Sequence, residues 1–418
     1  MTTARMSARR LRTRSRPFTV ALVSFLTLAL AAGGYTWAVA ATELPALHAE
    51  LSVQPVATFT TTDESAQAAV DTQAEPTAIG WTDNNSVWSN DDATYPIASL
   101  VKVVTVLVGL GEQPLEAGAD GPSYVWSTQD RQRQNEILAM LGVAQPVPVG
   151  TELTMRQMLQ LAMLPSSNDF AEAYAYWVFG DNETFLAAVD RFKAEHGLDS
   201  LTIVEPTGLD ARNQATAADM VRLARIALQH PTLVELSSTE SVELPWGVGL
   251  IENTNPLLGT VPGVIGVKTG ALGGYNLMLA QEAEVLGRPV INISVTLQRP
   301  TKLARAESGQ VMLAAMAELP QLHAVAVEGQ QVGTVTTWEG TTVQLVTQAS
   351  VDTVLLPAEL ATRTIDIGGV KAVESGQQVG QIVVDSPAGD GEVAIVTATA
   401  IEEPGLWWRL THPGIVFG

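Results

Sequence analysis

Cysteine is absent from the 418-residue chain. The protein therefore has no disulfide, no thiol nucleophile and no cysteine-based metal site. Histidine is scarce as well: the five residues His48, His196, His230, His323 and His412 show neither HxxxH nor HExxH spacing. This argues against a zinc hydrolase and against a Ser-His-Asp triad built around a nucleophile elbow. We predict no metal and no cofactor.

Positive charge is also scarce, and much of it lies at one end of the chain. Six of the 23 basic residues are arginines within residues 1–16, so residues 17–418 hold 17 basic against 44 acidic residues, a net charge of −27. A body of this charge repels phosphate backbones. We therefore expect no nucleic-acid partner.

A long apolar run follows the basic head, residues 1–17, which we expect in the cytoplasm. Residues 18–42 carry no charge over 25 positions, which is long enough to cross a bilayer with the arginine-rich end inside. Ala38-Val39-Ala40 also satisfies the small-x-small rule of signal peptidase sites. In both interpretations residues 43–418 are exported. We therefore predict that the protein lies on the extracytoplasmic face of the plasma membrane, anchored by its N-terminal segment, or that it is secreted if the chain is cleaved at Ala38-Val39-Ala40.

Composition divides the remainder of the chain. Residues 43–77 are polar and lack sustained periodicity, which predicts a stalk or linker. Residues 78–318 mix helical and strand patterns and form the predicted catalytic domain. The predicted helices there are 154–164, 168–179, 185–196, 216–229 and 304–318, and the predicted strands are 264–267, 275–280 and 290–297.

Residues 319–403 consist of short strand patterns separated by Gly and Asp turns. The sequence GQQVG at 329–333 recurs at 376–380, which predicts a small β-sandwich built from a duplicated hairpin. Residues 404–418 form an aromatic tail that is too short to span a membrane. Trp407 and Trp408 in this tail are either interfacial anchors or core cover.

One apolar segment holds a serine and a lysine three residues apart. Residues 95–110 read YPIASLVKVVTVLVGL, and helical spacing puts Ser99 and Lys102 on one face about one turn apart. Burial lowers the pKa of a lysine, and a neutral amine beside a hydroxyl is a general base. Ser99 in a first helical turn would also have a free backbone N–H for an oxyanion hole. The alternative is that Lys102 reaches solvent and Ser99 is a helix cap.

Two further polar groups follow. Ser166 and Asn168 fall on a turn between two predicted helices, where they are either functional groups or helix caps. Lys268-Thr269-Gly270 ends a predicted strand, where the glycine permits close approach of a substrate and the lysine and threonine suit a carboxylate. The alternative for this second group is a hairpin with a solvated lysine.

The three motifs SxxK, SxN and KTG, in this order along the chain, are the motif set of penicillin-binding proteins and serine β-lactamases. Residues 78–318 resemble the low-molecular-mass penicillin-binding proteins, the serine D-alanyl-D-alanine carboxypeptidases. PTGLD at 206–210, TAADM at 216–220 and NTN at 253–255 are similar to connecting segments of that family. The β-rich region after residue 318 is similar to a domain that such enzymes often carry.

The resemblance implies an α+β fold, the two-lobed penicillin-binding/beta-lactamase-like transpeptidase fold. One lobe would be helical and the other an antiparallel sheet flanked by helices, with a small all-β sandwich domain after them. The implied activity is a D,D-carboxypeptidase that removes the terminal D-alanine from peptidoglycan stem peptides through an acyl-enzyme. Beta-lactam antibiotics such as penicillins would acylate the same serine.

The resemblance also implies a role for each catalytic residue. Ser99 would be the nucleophile and Lys102 the general base. Ser166 would relay a proton, Asn168 would hold the substrate amide, and Lys268 would act electrostatically and in the relay.

For substrate binding, the resemblance implies Lys268, Thr269 and Gly270, with the backbone N–H of Ala271 in the oxyanion hole. An arginine often assists carboxylate binding in this family, and the candidates here are Arg305, which we favour, and Arg299.

Three other functions stay open. A β-lactamase would need a carboxylate to activate the deacylating water, and Glu205 lies in the right interval but outside an ExxLN pattern, so we interpret it as a turn residue. A D,D-endopeptidase or transpeptidase would use the same acylation site. A non-catalytic envelope scaffold would keep the fold and bind peptidoglycan.

Overall fold

The computed structural model describes residues 17–418. The basic head predicted over residues 1–17 lies outside this range except for Pro17, with which the first helix begins. That helix, Pro17–Ala41, has 25 residues, and at about 1.5 Å per residue it is long enough to cross a bilayer. By length and composition it is therefore a candidate membrane span, as the sequence predicts.

A five-stranded antiparallel sheet forms the centre of the sheet lobe. In spatial order its strands are Val264–Ala271, Tyr275–Val285, Arg288–Arg299, Thr77–Trp81 and Trp88–Ser89. The central strands are apolar on both faces because helices cover both sides. Met278 and Ala280 pack with helix Ala217–Leu228 in one core, and Leu277 and Leu279 face helix Lys302–Ala317 in another.

The helical lobe packs around helix Val101–Glu112. Ten of the twelve residues of this helix are buried, which explains why its sequence is apolar all round. The other helices of the lobe are Thr128–Ala139, Met155–Met163, Asn168–Phe179, Asn182–His196 and Pro231–Ser238. Three short hairpins or ribbons join these elements: Tyr95–Pro96 with Gln214–Ala215, Ser123–Val125 with Glu152–Thr154, and Ser241–Leu244 with Gly249–Glu252.

A β-rich domain follows helix Lys302–Ala317. Its main sheet is antiparallel and has seven strands, which in spatial order are Ala49–Leu51, Gln331–Thr336, Thr342–Thr347, Gly391–Thr397, Gln378–Asp385, Leu360–Ile367 and Val56–Thr60. The pair Gln321–Ala326 and Val351–Leu355 packs against this sheet and shares its core. Two short helices, Leu406–Thr411 and Pro413–Val416, end the chain.

The GQQVG repeat has the same structure at both positions. Gly329 donates its N–H to the carbonyl of Thr347, and Gly376 donates to the carbonyl of Thr397, at 2.9 and 2.8 Å. Both glycines have φ between 70° and 80°, the left-handed conformation that suits glycine. The two halves of the domain therefore use one hairpin design twice.

The stalk predicted over residues 43–77 is wrong. Ala49–Leu51 and Val56–Thr60 form the two edge strands of the seven-stranded sheet, pairing with Gln331–Thr336 and Leu360–Ile367. Helix Glu64–Asp71 packs on the sheet lobe with its apolar face buried. Edge strands bury little of their surface, so the sequence of these two strands has only a weak apolar pattern. For this reason the composition of residues 43–77 did not indicate strands.

A buried ion pair joins the sheet lobe to the β-rich domain. Arg288 begins a strand of the five-stranded sheet, and its guanidinium donates to Glu359 at 2.5 and 2.9 Å and to the carbonyl of Val354 at 2.9 Å. Both side chains are almost fully buried. Glu359 also accepts the N–H of Leu356, which orders the loop that contacts the sheet lobe.

We expect Glu359→Ala to leave the Arg288 guanidinium buried without its carboxylate. Removing one partner of a buried pair costs about 3 to 5 kcal/mol, so the free energy of unfolding should fall by that amount. Lys371→Ala is the matched control, because Lys371 and Glu43 form an exposed pair at 3.5 Å that should contribute little. Urea denaturation followed by tryptophan fluorescence and circular dichroism measures both; equal losses would contradict the prediction.

Candidate active site

A cleft of about 530 Å³ lies between the helical lobe and the edge strand Val264–Ala271. All three polar groups that the sequence singled out meet there. The lining includes Ser99, Ser166, Asn168, Thr269, Gly270, Ala271 and Arg305. Lys102 and Lys268 lie directly behind this lining, with 0% and 2% of their surface exposed.

Ser99 lies at the start of the buried helix. The sequence predicts a single helix over this segment, whereas the structure has a 3₁₀ turn, Ala98–Leu100, followed by helix Val101–Glu112. Ala98 has φ of 50°, a left-handed conformation that costs about 1 to 3 kcal/mol in a residue other than glycine. The surrounding contacts therefore hold Ser99 in a position that the local sequence alone would not adopt.

Two glycines and two amides hold the Ser99 turn in place. A Cβ at Gly208 would lie 2.2 Å from the carbonyl oxygen of Ala98, and one at Gly270 would lie 2.9 Å from the carbonyl oxygen of Ile97. Only glycine permits these approaches. Asn276 and Gln298 donate side-chain N–H groups to the carbonyl of Pro96, at 2.9 and 3.0 Å.

The amine of Lys102 contacts the Ser99 hydroxyl. Its Nζ lies 2.9 Å from Ser99 Oγ and donates to the carbonyl of Thr207 at 2.6 Å. Burial lowers the pKa of Lys102 to about 7, although the charges of Glu205 and Asp169 oppose this shift. A neutral amine that donates to Thr207 keeps its lone pair for the Ser99 proton, so the pair can form a nucleophile and its base.

The second lysine lacks a carboxylate partner. Lys268 Nζ donates only to the carbonyl of Thr269, at 3.3 Å, among the residues that the structure describes. Burial lowers its pKa well below the usual range, and the charges of Lys102 and Arg305 lower it further. The predicted alternative of a solvated lysine is therefore wrong.

The two candidate arginines have different surroundings. Arg299 is buried at the end of its strand, where it donates to the carbonyls of Pro76 and Leu297 and to the hydroxyl of Thr77, so it has a structural role. Arg305 lines the cleft, and its Nε has no hydrogen-bond partner among residues 17–418. Since neither Lys268 nor Arg305 forms an ion pair within the described part of the chain, the cleft favours an anion.

Ser166 and Asn168 occupy the turn between two helices, as the sequence predicts. Ser166 has φ of 65°, and its buried Oγ finds no hydrogen-bond partner within the described part of the chain. Asn168 accepts from the N–H of Val143 at 2.8 Å and donates to the carbonyl of Thr207 at 3.1 Å. Neither side chain caps helix Asn168–Phe179, whose N-cap is Ser167, so the helix-cap alternative is wrong.

The carbonyl of Thr207 is a central acceptor that the sequence could not indicate. It accepts from both Lys102 and Asn168. Glu205 fixes the turn over residues 205–210 by accepting the N–H groups of Thr207 and Gly208, each at 2.7 Å, and a side-chain N–H of Asn213 at 2.5 Å. Glu205 is thus the turn residue that we predicted.

Thr254 is another residue that sequence reasoning missed. Its hydroxyl lies 2.6 Å from the hydroxyl of Thr269, which fixes the orientation of the strand residue at the cleft. The only sequence signal was its place in the NTN segment at 253–255, whose importance a single sequence does not reveal.

Modification of Ser99 by a phosphonofluoridate, a reagent for activated serines, should depend on pH. The neutral form of Lys102 is the reactive form, so the rate should rise with pH through a midpoint near 7 and be lost below it. Lys102→Arg keeps the charge but cannot release the proton, and should slow the reaction about 10²- to 10⁴-fold. A rate independent of pH between about 5 and 9 would contradict this assignment.

Glu205→Gln should change this profile in two ways. The midpoint should move to lower pH, because the negative charge of Glu205 raises the pKa of Lys102. The maximal rate should also fall, because the turn that carries the Thr207 carbonyl loses charged acceptors. Asp210→Asn is the control, since Asp210 pairs with Arg212 at the surface. A midpoint shifted upward in Glu205→Gln would contradict the electrostatic account.

Comparison with known proteins is consistent with this geometry. The profile of the family described as D-alanyl-D-alanine carboxypeptidase matches residues 67–301. A D-alanyl-D-alanine endopeptidase of Pseudomonas aeruginosa is 33% identical over 151 residues, 36% of this chain and 45% of the relative. A D-alanyl-D-alanine carboxypeptidase of Mycobacterium tuberculosis is 29% identical over 229 residues, 53% of this chain and 72% of the relative.

The fold has counterparts among solved structures. Penicillin binding protein 5 from Haemophilus influenzae superposes with a TM-score of 0.54 at 17% identity, over 79% of this chain and 98% of that protein. The chain spans about half the length of three of the curated relatives that it matches. Because the family profile covers more than half of the chain, the protein belongs to the D-alanyl-D-alanine carboxypeptidase family.

Proposed function

We propose that the protein is a serine-type D,D-carboxypeptidase that removes the terminal D-alanine from peptidoglycan stem peptides. The observation that carries the proposal is the 2.9 Å contact between Ser99 Oγ and the Nζ of a fully buried lysine. Arg305 beside this pair is a cation, and a bound carboxylate would favour the protonated form of Lys268 behind it, so the two side chains suit a substrate that ends in a carboxylate.

In the first half of the reaction, Ser99 Oγ attacks the carbonyl between the two D-alanines while Lys102 accepts the hydroxyl proton. The tetrahedral intermediate collapses to an ester on Ser99 and releases D-alanine, whose amine takes a proton through Ser166. The Ser166 hydroxyl supports this relay, because it has no hydrogen-bond partner among residues 17–418 and is free to bond to the substrate or to either lysine.

In the second half, Lys102 accepts a proton from the water that attacks the ester and returns it to Ser99 Oγ as the shortened peptide leaves. The backbone N–H groups of Ser99 and Ala271 hold the oxyanion in both halves, a contribution of about 3 to 4 kcal/mol per donor. In the first half, Lys268, Thr269 and Arg305 hold the terminal carboxylate of the substrate, which leaves with D-alanine. Asn168 holds the amide of the acyl chain, and its bond to Thr207 ties the substrate contact to the acceptor of Lys102.

D,D-endopeptidase activity is a second candidate, favoured by the relatives named D-alanyl-D-alanine endopeptidase from Pseudomonas aeruginosa and Escherichia coli. The acylation chemistry would be the same, with a cross-linked peptide as the substrate. A β-lactamase is a weaker candidate, because the carboxylate of Glu205 is occupied by N–H groups of its own turn. Acylation by penicillins follows from the proposed mechanism in either case.

We place the catalytic domain on the outer face of the plasma membrane, where peptidoglycan lies. The apolar helix Pro17–Ala41 supports this placement, since it is long enough to cross the membrane and is preceded by an arginine-rich segment.

The full chain in detergent should release D-alanine from an acylated peptide that ends in D-Ala-D-Ala, and Ser99→Ala should abolish the release. Ser350→Ala is the control, because Ser350 is an exposed serine of the β-rich domain. Chromatography of the peptide and an enzymatic assay of D-alanine measure the reaction. No release by the wild type, together with cleavage of cross-linked dimers, would favour the endopeptidase.

Fluorescent penicillin and nitrocefin separate the remaining alternatives. We expect a stable, stoichiometric label on Ser99 and a slow burst with nitrocefin. Rapid nitrocefin turnover would indicate a β-lactamase, and a wild type that takes no label would indicate a non-catalytic scaffold.

A further inference from the structure

The C-terminal tail meets the outer end of the apolar helix. The hydroxyl of Tyr35 on helix Pro17–Ala41 donates to the carbonyl of Leu410 at 2.9 Å. The ring of Tyr35 lies 6.5 Å from that of Phe417. Val39 and Val416 are both buried, so the contact excludes water.

Arg409 ties the C-terminal tail to the end of this helix. Its side chain is largely buried, and it donates to the carbonyl of Thr42 at 3.0 Å and to that of Val39 at 3.4 Å. The last carbonyls of a helix are unpaired and carry partial negative charge, so a cation there stabilises the helix end. Glu403 accepts from the same guanidinium at 2.6 Å and holds it in place.

The exposed side chains of the tail are mostly apolar, with Thr411 and His412 as the polar exceptions. Leu406, Trp407, Ile415 and Phe417 are exposed, and 78% of the surface of Trp407 is accessible. These side chains lie beside the end of a helix whose own apolar side chains are exposed along its length. Tryptophan and other aromatic residues are enriched where the hydrocarbon core of a membrane meets water.

We propose that residues 406–417 lie in the interfacial layer of the membrane that helix Pro17–Ala41 enters, and that this helix is retained in the mature protein. The argument for lipid as the occupant is continuity: the tail surface extends the lipid-facing surface of the spanning helix at the depth where that helix ends. Cleavage after Ala40 would remove Tyr35 and Val39, with which the tail packs.

The geometry has a mechanical consequence. The seven-stranded sheet takes its strands from residues 49–60 and 331–397, so the β-rich domain is tied to the membrane contact by two chain segments, one before its first strand and one after its last. A single helix joined by a flexible stalk would leave the orientation of the catalytic cleft relative to the membrane unrestricted. Two connections to the membrane contact restrict that orientation.

The absence of cysteine makes the membrane contact measurable with one introduced label. Full-length Trp407→Cys and Ile415→Cys, each carrying an environment-sensitive nitrobenzoxadiazole label, are reconstituted in vesicles of phosphatidylcholine and phosphatidylglycerol. Leu250→Cys is the matched control, because Leu250 is an exposed apolar residue of the sheet and helix region, with 60% of its surface accessible.

Nitroxide-bearing lipids should quench the labels at 407 and 415 by roughly twofold or more and leave the label at 250 unchanged. Equal quenching at all three sites would overturn the proposal. Loss of quenching at 407 and 415, with cross-linking between copies through the same cysteines, would show instead that a second copy of the chain covers the tail, and would also overturn it.

Retention of the helix is tested separately, by the intact mass of the chain extracted from membranes of a bacterial host. A mass that includes residues 17–41 supports the proposal, and a product that begins after Ala40 would overturn it. Neither readout depends on activity, so the outcome is independent of the proposed function.

Discussion

The site depends on keeping the amine of Lys102 away from water. An exposed lysine holds its proton until about pH 10 and cannot act as a base near neutrality. Here the apolar helix Val101–Glu112, buried on almost all of its surface, removes that hydration and lowers the pKa to about 7. The surrounding helical lobe therefore keeps a large fraction of the Lys102 amine deprotonated at and above neutral pH, the form that can accept a proton.

Dehydration alone would not place the amine, and the carbonyl of Thr207 does so. It accepts one hydrogen of Lys102 and one of Asn168, so the turn over residues 205–210 sets the positions of both side chains. Glu205 fixes the conformation of this turn by accepting its N–H groups. Gly208 lets the turn lie directly against the carbonyl of Ala98. Glu205, to which the proposed mechanism gives no step, thus supports the geometry of the Ser99–Lys102 pair.

The sequence was most informative where chemistry and periodicity coincide. Ser99, Ser166 and Lys268 are far apart in the chain, yet the family resemblance indicated by their motifs assigned them to one reaction, and the structure brings them together. The predicted helix over 168–179 agrees with Asn168–Phe179, because an apolar stripe in a compact domain has one place to pack. The strands predicted over 275–280 and 290–297 are longer in the structure, Tyr275–Val285 and Arg288–Arg299, because their polar ends extend beyond the core.

Features without a side-chain pattern escaped prediction. A backbone acceptor such as the Thr207 carbonyl leaves no trace in the sequence. Helix Thr128–Ala139 was not predicted, because two of its three buried residues, Asp130 and Gln134, are polar and satisfied by hydrogen bonds. The edge strand Val56–Thr60 depends on a partner some three hundred residues later, and only the folded chain reveals this pairing.

The ionisation of Lys102 is the most direct test of this account. The chain has five lysines, so ¹³C labelling of their side-chain ε carbons gives a simple NMR spectrum, in which Lys102→Arg assigns the signal of interest. We predict that this signal titrates with a midpoint near 7 in the full chain. A midpoint at about 10, the value of a hydrated lysine, would contradict the central claim that a dry, neutral amine activates Ser99.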